Sequence, residues 1–589
     1  MTLLLATPWI AFILLALVAP IRRSRNATRI VIGGTVLGLL GGSALLAFGG
    51  EAELDFGRWL GATFPLEIRF RFVADALARA MGATVGVVSS AILVYASTYM
   101  GDESESDYGR FFTEVFLFIG AMLGTVFAAN LLPLYAFWEV MGLASYLLIG
   151  FHFERERARR AAVRAFWVTR FGDVGFLIAV IVAIWNFPTL DFAALNSAAP
   201  GLDETVRRAF LLLVLAGVAG KSAQFPLHIW LPDAMEGPTP VSALVHAATM
   251  VAAGVFLLLR ISPILGTDLL VSDVVLTIGV TTALLGAIQA LFQRDLKQVL
   301  AMSTISQLGY MVAAVGAGAA SAALYHLLTH AFFKALLFLS AGAVAHVLGT
   351  LDLRRLRGLW HVDRVTTVAL VVGSLALAGV APLSGGLSKG GIIVGVFEHS
   401  TLAGAALLVG SILTALYVGR ILAIVVPGQP EGHGHANGAA VGISLSFLAL
   451  ATAVLGFGQH SILSVMPGEI VEHPLWITIS ETLLAIAGIA VGYMWGKGRG
   501  RDPAGSFADM ARAGFGLPAI HHEVYARAIL PLGQVLGWFD RYIVDGLVNA
   551  TAASVVRAAR PFRRVDGGSL STVLAAILMG WLLLWAVIR

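Results

Sequence analysis

Long apolar segments are the feature that most constrains this chain. About sixteen of them reach the roughly 20 residues that a helix needs to cross a lipid bilayer. Only 13% of the 589 residues are charged, whereas soluble domains carry about 25% charged residues. A soluble globular enzyme is therefore excluded, and the sequence predicts an all-α polytopic membrane protein with about 16 transmembrane helices.

Charge and cysteine content exclude further classes. The formal net charge of +4 is small and scattered along the chain, so nucleic-acid binding is not expected. The absence of cysteine excludes disulfides, cysteine-ligated iron–sulfur clusters and thiol catalysis. No dinucleotide-binding fingerprint is present either, so an enzyme with its own redox centre is not supported, and no cofactor or metal is expected in this chain.

The distribution of positive charge predicts the orientation in the membrane. Loops after odd-numbered spans hold 20 Lys and Arg residues, whereas loops after even-numbered spans hold six. Because cytoplasmic loops carry the excess of Lys and Arg, both termini are expected on the outer face. The first apolar segment precedes its positive charges, which favours a membrane helix over a signal peptide.

Two spans are interrupted by glycine and proline, and each carries a lysine. The first break lies at Gly220–Pro226 with Lys221, and the second lies at Ala381–Gly391 with Lys389. Paired broken helices are typical of transporters built from repeats, with the ion site near mid-membrane. The 168 residues between the two lysines fit a unit of five spans that occurs twice. Because five is an odd number, the second copy would be inverted in the membrane, so two inverted five-helix repeats are predicted.

The predicted organisation has six segments. They comprise N-terminal helices (1–110), a first five-helix repeat (111–261), a second inverted repeat (270–427), two further helices (439–496), an amphipathic segment (497–568) and a final span (569–589). In the amphipathic segment, apolar residues at helical spacing from Leu532 to Leu547 oppose Gln534, Arg541 and Asp545. This pattern indicates a lateral helix along the cytoplasmic side of the membrane.

Ionisable residues within apolar spans are expensive and are functional candidates by default. The main candidates for a proton pathway are Glu139, Lys221, His246, His326, His330, Lys334 and Lys389. Secondary candidates are Arg170, Asp173, Asp295 and Lys297.

Several of these residues also have a structural interpretation. Glu139 has no cation within reach on its own helix, so an intramembrane lysine is expected as its partner. Arg170 and Asp173 lie three residues apart and could neutralise each other. His326, His330 and Lys334 share a helix face, where nearby Lys334 disfavours a metal and favours a polar, water-bridged wire. The two histidines of Glu431–Asn437 could hold a metal, but two His without further ligands make a poor site, so a solvated linker is expected.

One long motif resembles a known family. The run Gly220–Met250 begins GKSAQFPLHIWLPD and resembles the subunit L family of respiratory complex I, the distal antiporter-like subunits. Further similarity lies in Phe137-Trp138-Glu139, in Asp295–Ala301, in His326–Leu337 (HLLTHAFFKALL) and in Ile543–Asn549. The resemblance extends over the whole chain and is densest over residues 130–400.

The resemblance implies proton pumping coupled to NADH–quinone electron transfer in other subunits. Glu139 and Lys221 would form the input switch, the histidines and Lys334 the central wire, and Lys389 the outer half-channel. FMN, iron–sulfur clusters and quinone would reside in partner subunits of the complex, which itself would lie in the bacterial cytoplasmic membrane. The lateral helix would run along neighbouring antiporter-like subunits.

Two departures from the family pattern stand out. The family usually follows the second broken-helix lysine with an acid, but Gly390 follows Lys389 here, which leaves the exit-side partner unidentified. The lateral helix also lacks its usual acidic motif and reads Ala519–Tyr525 at that place. Alternatives are the large subunit of an Mrp-type cation/proton antiporter, a hydrogenase or inorganic-carbon relative, and a structural subunit with a decayed channel.

Overall fold

The computed structural model describes residues 1–60, 68–187, 189–430, 437–458, 475–563 and 570–588. Within these ranges the chain forms two compact units, Met1–Phe515 and Gly516–Arg589. Both units are largely helical. The two-histidine segment 431–436 lies outside the described residues.

The first unit is built from packed helices. Those before the chain midpoint are α1 (Thr2–Leu17), α2 (Ala19–Arg22), α3 (Arg25–Phe48), α4 (Ala76–Tyr99), α5 (Glu105–Phe127), α6 (Leu131–Ile149), α7 (Glu156–Asn186), α8 (Phe192–Ala198), α9 (Glu204–Lys221), α10 (Trp230–Asp233), α11 (Thr239–Ala247), α12 (Met250–Arg260), α13 (Ser262–Leu265) and α14 (Leu269–Phe292). Those after it are α15 (Leu296–Gly316), α16 (Ala320–Leu348), α17 (Leu359–Val362), α18 (Arg364–Ala378), α19 (Ser384–His399), α20 (Thr401–Val425), α21 (Ala439–Val454), α22 (Leu475–Lys497) and α23 (Ser506–Arg512).

The described helices include many that suit a bilayer. Eleven segments, counting the interrupted Thr239–Arg260 as one, are long and apolar enough to cross a membrane by length and composition. Shorter apolar helices are Thr2–Leu17, Arg364–Ala378, Ala439–Val454 and Leu570–Ala586. The chain is therefore a multi-pass membrane protein, as predicted. The count of about sixteen spans and the inverted repeats stay predictions.

A β-hairpin corrects the all-α expectation. Strands β1 (Glu53–Leu60) and β2 (Ile68–Val73) pair antiparallel between α3 and α4. The sequence carries a short period-2 alternation at Arg69-Phe70-Arg71-Phe72, which is typical of a strand. A polar loop between two spans must satisfy its own backbone groups, and strand pairing does so. The hairpin also contacts the start of α6, since the Ala129 amide donates to the Arg71 carbonyl over 3.0 Å.

The two predicted helix breaks are present, with different extents. α9 ends at Lys221, and a non-helical stretch leads to a 3-10 turn at Leu227–Ile229. In the second break only residues 379–383 leave the helix, so Lys389 lies inside α19 and not in the interruption. Gly379 ends α18 with φ of +94°, a conformation that favours glycine as a helix C-cap.

A third break was not expected from sequence. Residues 240–261 read as one uninterrupted span, but α11 ends at Ala247 and α12 begins at Met250. Thr249 lies in this gap, and its hydroxyl donates to the Leu244 carbonyl over 2.5 Å. Thr side chains that bond back to the main chain compete with helical hydrogen bonding, which accounts for the interruption. The gap follows His246 by two residues.

The second unit is a long helical run followed by one apolar helix. It comprises α24 (Leu517–Val524), a π-helical turn (Tyr525–Ile529), α25 (Leu530–Phe539), a second π-helical turn (Asp540–Val544), α26 (Asp545–Arg563) and α27 (Leu570–Ile588). From residue 517 to 563 the run would be about 70 Å long. Its apolar residues are exposed within the unit, with Leu532 58% and Val535 60% accessible. Residues 499–515 belong to the first unit and include a 3-10 turn at Arg499–Arg501 and the short helix α23.

Close backbone contact between α14 and α15 depends on glycine. A Cβ added at Gly286 would lie 2.6 Å from the Ser306 amide nitrogen, and one added at Gly309 would collide with the Ala283 backbone. Small residues at helix interfaces let backbones approach closely, which is how helices associate in membranes without a hydrophobic driving force.

We therefore expect Gly309→Val to lower the thermal unfolding midpoint of the purified protein. Overpacking a tight interface costs about 1–3 kcal/mol, and here the obstructing atoms are backbone that cannot rotate away. Gly33→Val is the matched control, because the space around a Cβ at Gly33 is empty. Equal midpoints for both variants would contradict this account of the interface.

Candidate functional site

α7 carries two charged residues that form ion pairs with two different neighbouring helices. This helix packs against α6 on one side and α9 on the other. Arg170 and Asp173 are three residues apart, so their side chains diverge around the helix by about 60°. Arg170 forms an ion pair with Glu139 of α6, and Asp173 forms one with Lys221 of α9.

The Lys221–Asp173 pair is fully buried. Lys221 Nζ lies 3.0 Å from Asp173 Oδ2, and both side chains are at most 1% exposed. The indole Nε1 of Trp138 donates to Asp173 Oδ1 over 2.6 Å. The carboxylate thus receives one charged and one neutral donor, which offsets much of its desolvation.

This pairing differs from the expectation that Glu139 binds the broken-helix lysine and that Arg170 neutralises Asp173. Side chains three residues apart are offset by about 60° around a helix, so they can reach different neighbours when that helix lies between two others. Lys221 still approaches the Glu139 helix. A Cβ added at Gly142, one turn from Glu139, would lie 2.7 Å from Lys221 Nζ. Glu139, Arg170, Asp173 and Lys221 therefore form one cluster, which we call the charge quartet.

The break in α9 makes room for the lysine. Helix ends leave backbone carbonyls unsatisfied, and the Gly220 carbonyl accepts a hydrogen bond from Trp230 Nε1 over 2.9 Å. Ser222 donates to the Val251 carbonyl over 2.7 Å. These contacts hold the broken segment against α12 and fix Lys221 at the last residue of α9.

α16 carries the predicted central row in a fully buried position. His326, His330 and Lys334 all have no solvent-exposed surface. The rings of His326 and His330 lie 6.2 Å apart between centroids. Lys334 Nζ contacts the hydroxyl of Ser303 at 2.5 Å and the Leu300 carbonyl at 3.3 Å. The lysine is thus held by neutral oxygen atoms of α15.

Hydrogen bonds connect this row to the second broken helix. His326 Nδ1 lies 2.8 Å from the Ser388 hydroxyl, and His326 Nε2 lies 3.0 Å from Gln307 Oε1. Ser388 precedes Lys389, whose Nζ donates to the Leu377 carbonyl over 2.9 Å. The predicted central and outer residues therefore meet at α16 and α19.

His246, at the inner end of the predicted pathway, is less directly connected to the other candidate residues. His246 is completely buried and its ring lies 4.6 Å from that of Phe338. Within the described residues, neither ring nitrogen of His246 has a hydrogen-bond partner. No direct hydrogen bond among those residues joins Lys221 to His246.

Lys297 and Asp295 have structural contacts at the start of α15. Lys297 Nζ donates to the carbonyls of Met235 and Gly237 over 2.9 and 3.0 Å. Asp295 caps α15 by accepting from the Gln298 amide over 3.1 Å. Lys297 thus fastens the segment after the first break to α15, whereas Asp295 stabilises the start of that helix.

Sequence reasoning missed Glu481 of α22. Its carboxylate interacts electrostatically with Lys389. Glu481 is a lone carboxylate in an otherwise apolar span, and this signal alone marks a candidate functional residue. Gln307, Ser303 and Ser388 were also missed, because neutral polar residues in a span give no comparable indication. Among the described residues, no group of three or more His, Cys, Asp or Glu side chains could hold a metal ion.

Known families match most of this chain. Residues 128–414 match the family described as NADH:quinone oxidoreductase/Mrp antiporter, TM. Residues 59–112 match the family described as NADH-Ubiquinone oxidoreductase (complex I), chain 5 N-terminus. The first match contains all eleven residues predicted for the proton pathway, from Glu139 to Lys389.

Individual relatives agree with these families. NADH-quinone oxidoreductase subunit L of Mycobacterium tuberculosis is 38% identical over 549 residues, covering 88% of this chain and 86% of the relative. NAD(P)H-quinone oxidoreductase subunit 5 of the Paulinella chromatophora chromatophore is 44% identical over 391 residues, which cover 64% of this chain and 58% of the relative. A solved Mrp complex from Dietzia sp. matches with a TM-score of 0.73 at 26% identity, covering 99% of this chain and 62% of that one.

The Lys221–Asp173 pair gives a stability prediction. Asp173→Asn still accepts the Trp138 hydrogen bond but leaves the buried ammonium without its counter-charge, a loss of about 3–5 kcal/mol. The double variant Asp173→Asn with Lys221→Met removes both charges and should recover most of that stability. Thermal unfolding of purified variants measures both effects.

Asp203→Asn is the control, since Asp203 is an exposed N-cap where Asn is equally favourable. A double variant no more stable than the single one would show that the two charges do not stabilise each other.

Proposed function

The chain belongs to the NADH:quinone oxidoreductase/Mrp antiporter family of membrane subunits, and from that premise we propose that it translocates protons across the membrane. It does so as the antiporter-like subunit L of an NADH–quinone oxidoreductase, whose electron transfer takes place in other subunits. The observation that carries this function is the buried Lys221–Asp173 pair, at one end of a series of buried ionisable groups that extends to Lys389. Buried charges of this kind typically mark ion pathways.

The charge quartet supplies the switch in this proposal. Lys221 keeps its proton while Asp173 faces it, and Arg170 holds Glu139 on the other side of α7. A signal that shifts Asp173 toward Arg170 weakens the pair and lets Lys221 release its proton. A second proton is then taken up when the original pairing returns.

The released proton would travel outward along buried groups. From Lys221 it passes through His246 to Lys334, His330 and His326 and then to Lys389, with water bridging the gaps where no direct hydrogen bond exists. His326 and Ser388 form the direct link between α16 and α19. Moving one charge against 100 mV requires about 2.3 kcal/mol, which a change of about two pKa units in one group supplies.

The proposal extends to architecture. Two inverted five-helix repeats would contain the two broken helices, and about sixteen spans would place both termini on the outer face of a bacterial cytoplasmic membrane. The helical run 517–563 would lie on the cytoplasmic side and cover neighbouring membrane subunits with its apolar face. FMN, iron–sulfur clusters and quinone would be bound by those partners.

The second candidate is the large subunit of an Mrp-type cation/proton antiporter. The fold likeness to the Dietzia Mrp complex favours it. The charge quartet would play the same part in either assembly, and only the driving force would differ.

Co-purification separates the two candidates. The tagged chain, extracted in mild detergent from its native host, is expected to carry along subunits with flavin and iron–sulfur absorbance and NADH–quinone activity. A colourless complex that catalyses only cation/proton exchange would contradict the first candidate and support the second.

Lys221→Arg tests the switch. Arginine keeps the positive charge and the pairing with Asp173, but it does not release its proton in proteins. NADH-driven proton uptake by membrane vesicles should therefore fall about tenfold or more, while the complex still assembles. Lys497→Arg is the control, because Lys497 is exposed at the end of α22. An assembled Lys221→Arg complex that pumps like the wild type would overturn the role of Lys221.

A further inference from the structure

Gly390 follows Lys389, and another side chain occupies the space that a side chain at position 390 would take. A Cβ added at Gly390 would overlap Oε2 of Glu481 and lie 3.2 Å from its Cδ. The carboxylate of α22 thus occupies the position that a side chain at 390 would take. A glycine at 390 is therefore a steric requirement for Glu481 to reach this place.

α22 is fastened to the same helix break. The hydroxyl of Thr482, the next residue, accepts a hydrogen bond from the Ala381 amide over 3.2 Å. α22 also packs against α19 and α20. Glu481 is thus held beside the segment where Lys389 reaches back to the Leu377 carbonyl.

The charges around Lys389 make Glu481 its electrostatic partner. Lys389 is 2% exposed, and Lys334 and His326 interact with it from α16. Tyr310 of α15 presents its ring 5.7 Å from the ammonium. Those groups are neutral or of like charge, whereas Glu481 carries the opposite charge.

A cavity begins at Glu481. Its volume is about 460 Å³, and it is lined by Glu481, Ser480, Glu398 and apolar residues of α19, α20 and α22. Glu398 is exposed and lies next to the last residue of α19. The cavity therefore leads from the half-buried Glu481 carboxylate to an exposed acid at the helix end.

We propose that Glu481 accepts the proton from Lys389 and passes it into this cavity toward Glu398, with Gly390 providing the space for the Glu481 carboxylate. The inference deepens the proposed function and rests on it. In the step, the Lys389 ammonium loses a proton to become a neutral amine, and the Glu481 carboxylate gains it to become a carboxylic acid. Water in the cavity then takes the proton and restores the carboxylate.

The test compares proton uptake and NADH oxidation in membrane vesicles that contain the complete complex. Glu481→Gln keeps the shape of the side chain but cannot carry the proton, so proton uptake should fall about tenfold or more. Glu105→Gln is the control, because Glu105 is an exposed carboxylate in the first turn of α5. Its proton uptake should equal that of the wild type.

A double variant, called the swapped variant, distinguishes a carboxylate that carries the proton from a carboxylate that only stabilises the structure. Gly390→Asp combined with Glu481→Ala places a carboxylate in the same space from the other helix. Its proton uptake should recover to within about threefold of wild type, because the carboxylate need only stand near Lys389. Gly390→Asp alone should assemble poorly, since the added atoms overlap Glu481.

The outcomes discriminate between this inference and the proposed function. If wild-type vesicles oxidise NADH without moving protons, the proposed function fails. If wild-type vesicles move protons and assembled Glu481→Gln vesicles do so equally well, only the role of Glu481 fails. If Glu481→Gln does not assemble, the swapped variant decides: proton uptake by it supports the inference, and an assembled complex without proton uptake overturns it.

Discussion

The burial of the Lys221 ammonium against the Asp173 carboxylate is the interaction on which the rest of the first half depends. A charge in the interior of a membrane protein is tolerated only when a counter-charge and hydrogen bonds replace its water. Asp173 can provide the counter-charge because α7 lies between α6 and α9. Trp138 completes the carboxylate's hydrogen bonding, and Gly142 leaves the space that the ammonium occupies.

The three buried lysines of the pathway have different oxygen partners. Lys221 has a carboxylate in direct contact, Lys334 has a hydroxyl and a carbonyl, and Lys389 has a carbonyl with a carboxylate nearby. A carboxylate stabilises an ammonium more strongly than neutral oxygen atoms do. A proton released at Lys221 therefore meets sites of unequal stability along its route. A small movement of a carboxylate can change which lysine holds the proton most strongly. A proton pump needs this property.

Much of the candidate site could be read from the sequence because apolar surroundings make ionisable residues conspicuous. Lys221, Lys389 and the α16 row were all identified in this way, and the structure buries each of them. Their partners were harder to predict. The expected Glu139–Lys221 and Arg170–Asp173 pairs gave way to two pairs across α7, since sequence spacing reports which residues share a helix and not which helices are neighbours.

The sequence by itself determined the membrane environment, the helical character of most segments, two breaks and the family. These follow from local properties, namely apolar length, glycine and proline, and one long motif. Only the tertiary structure decided which carboxylate meets which cation, that a hairpin joins α3 to α4, and that Glu481 fills the space beside Gly390. The physical reason is that an ion pair depends on the distance between side chains from separate helices. Helix packing sets that distance, and residues as far apart in sequence as Lys389 and Glu481 become neighbours only when the helices pack.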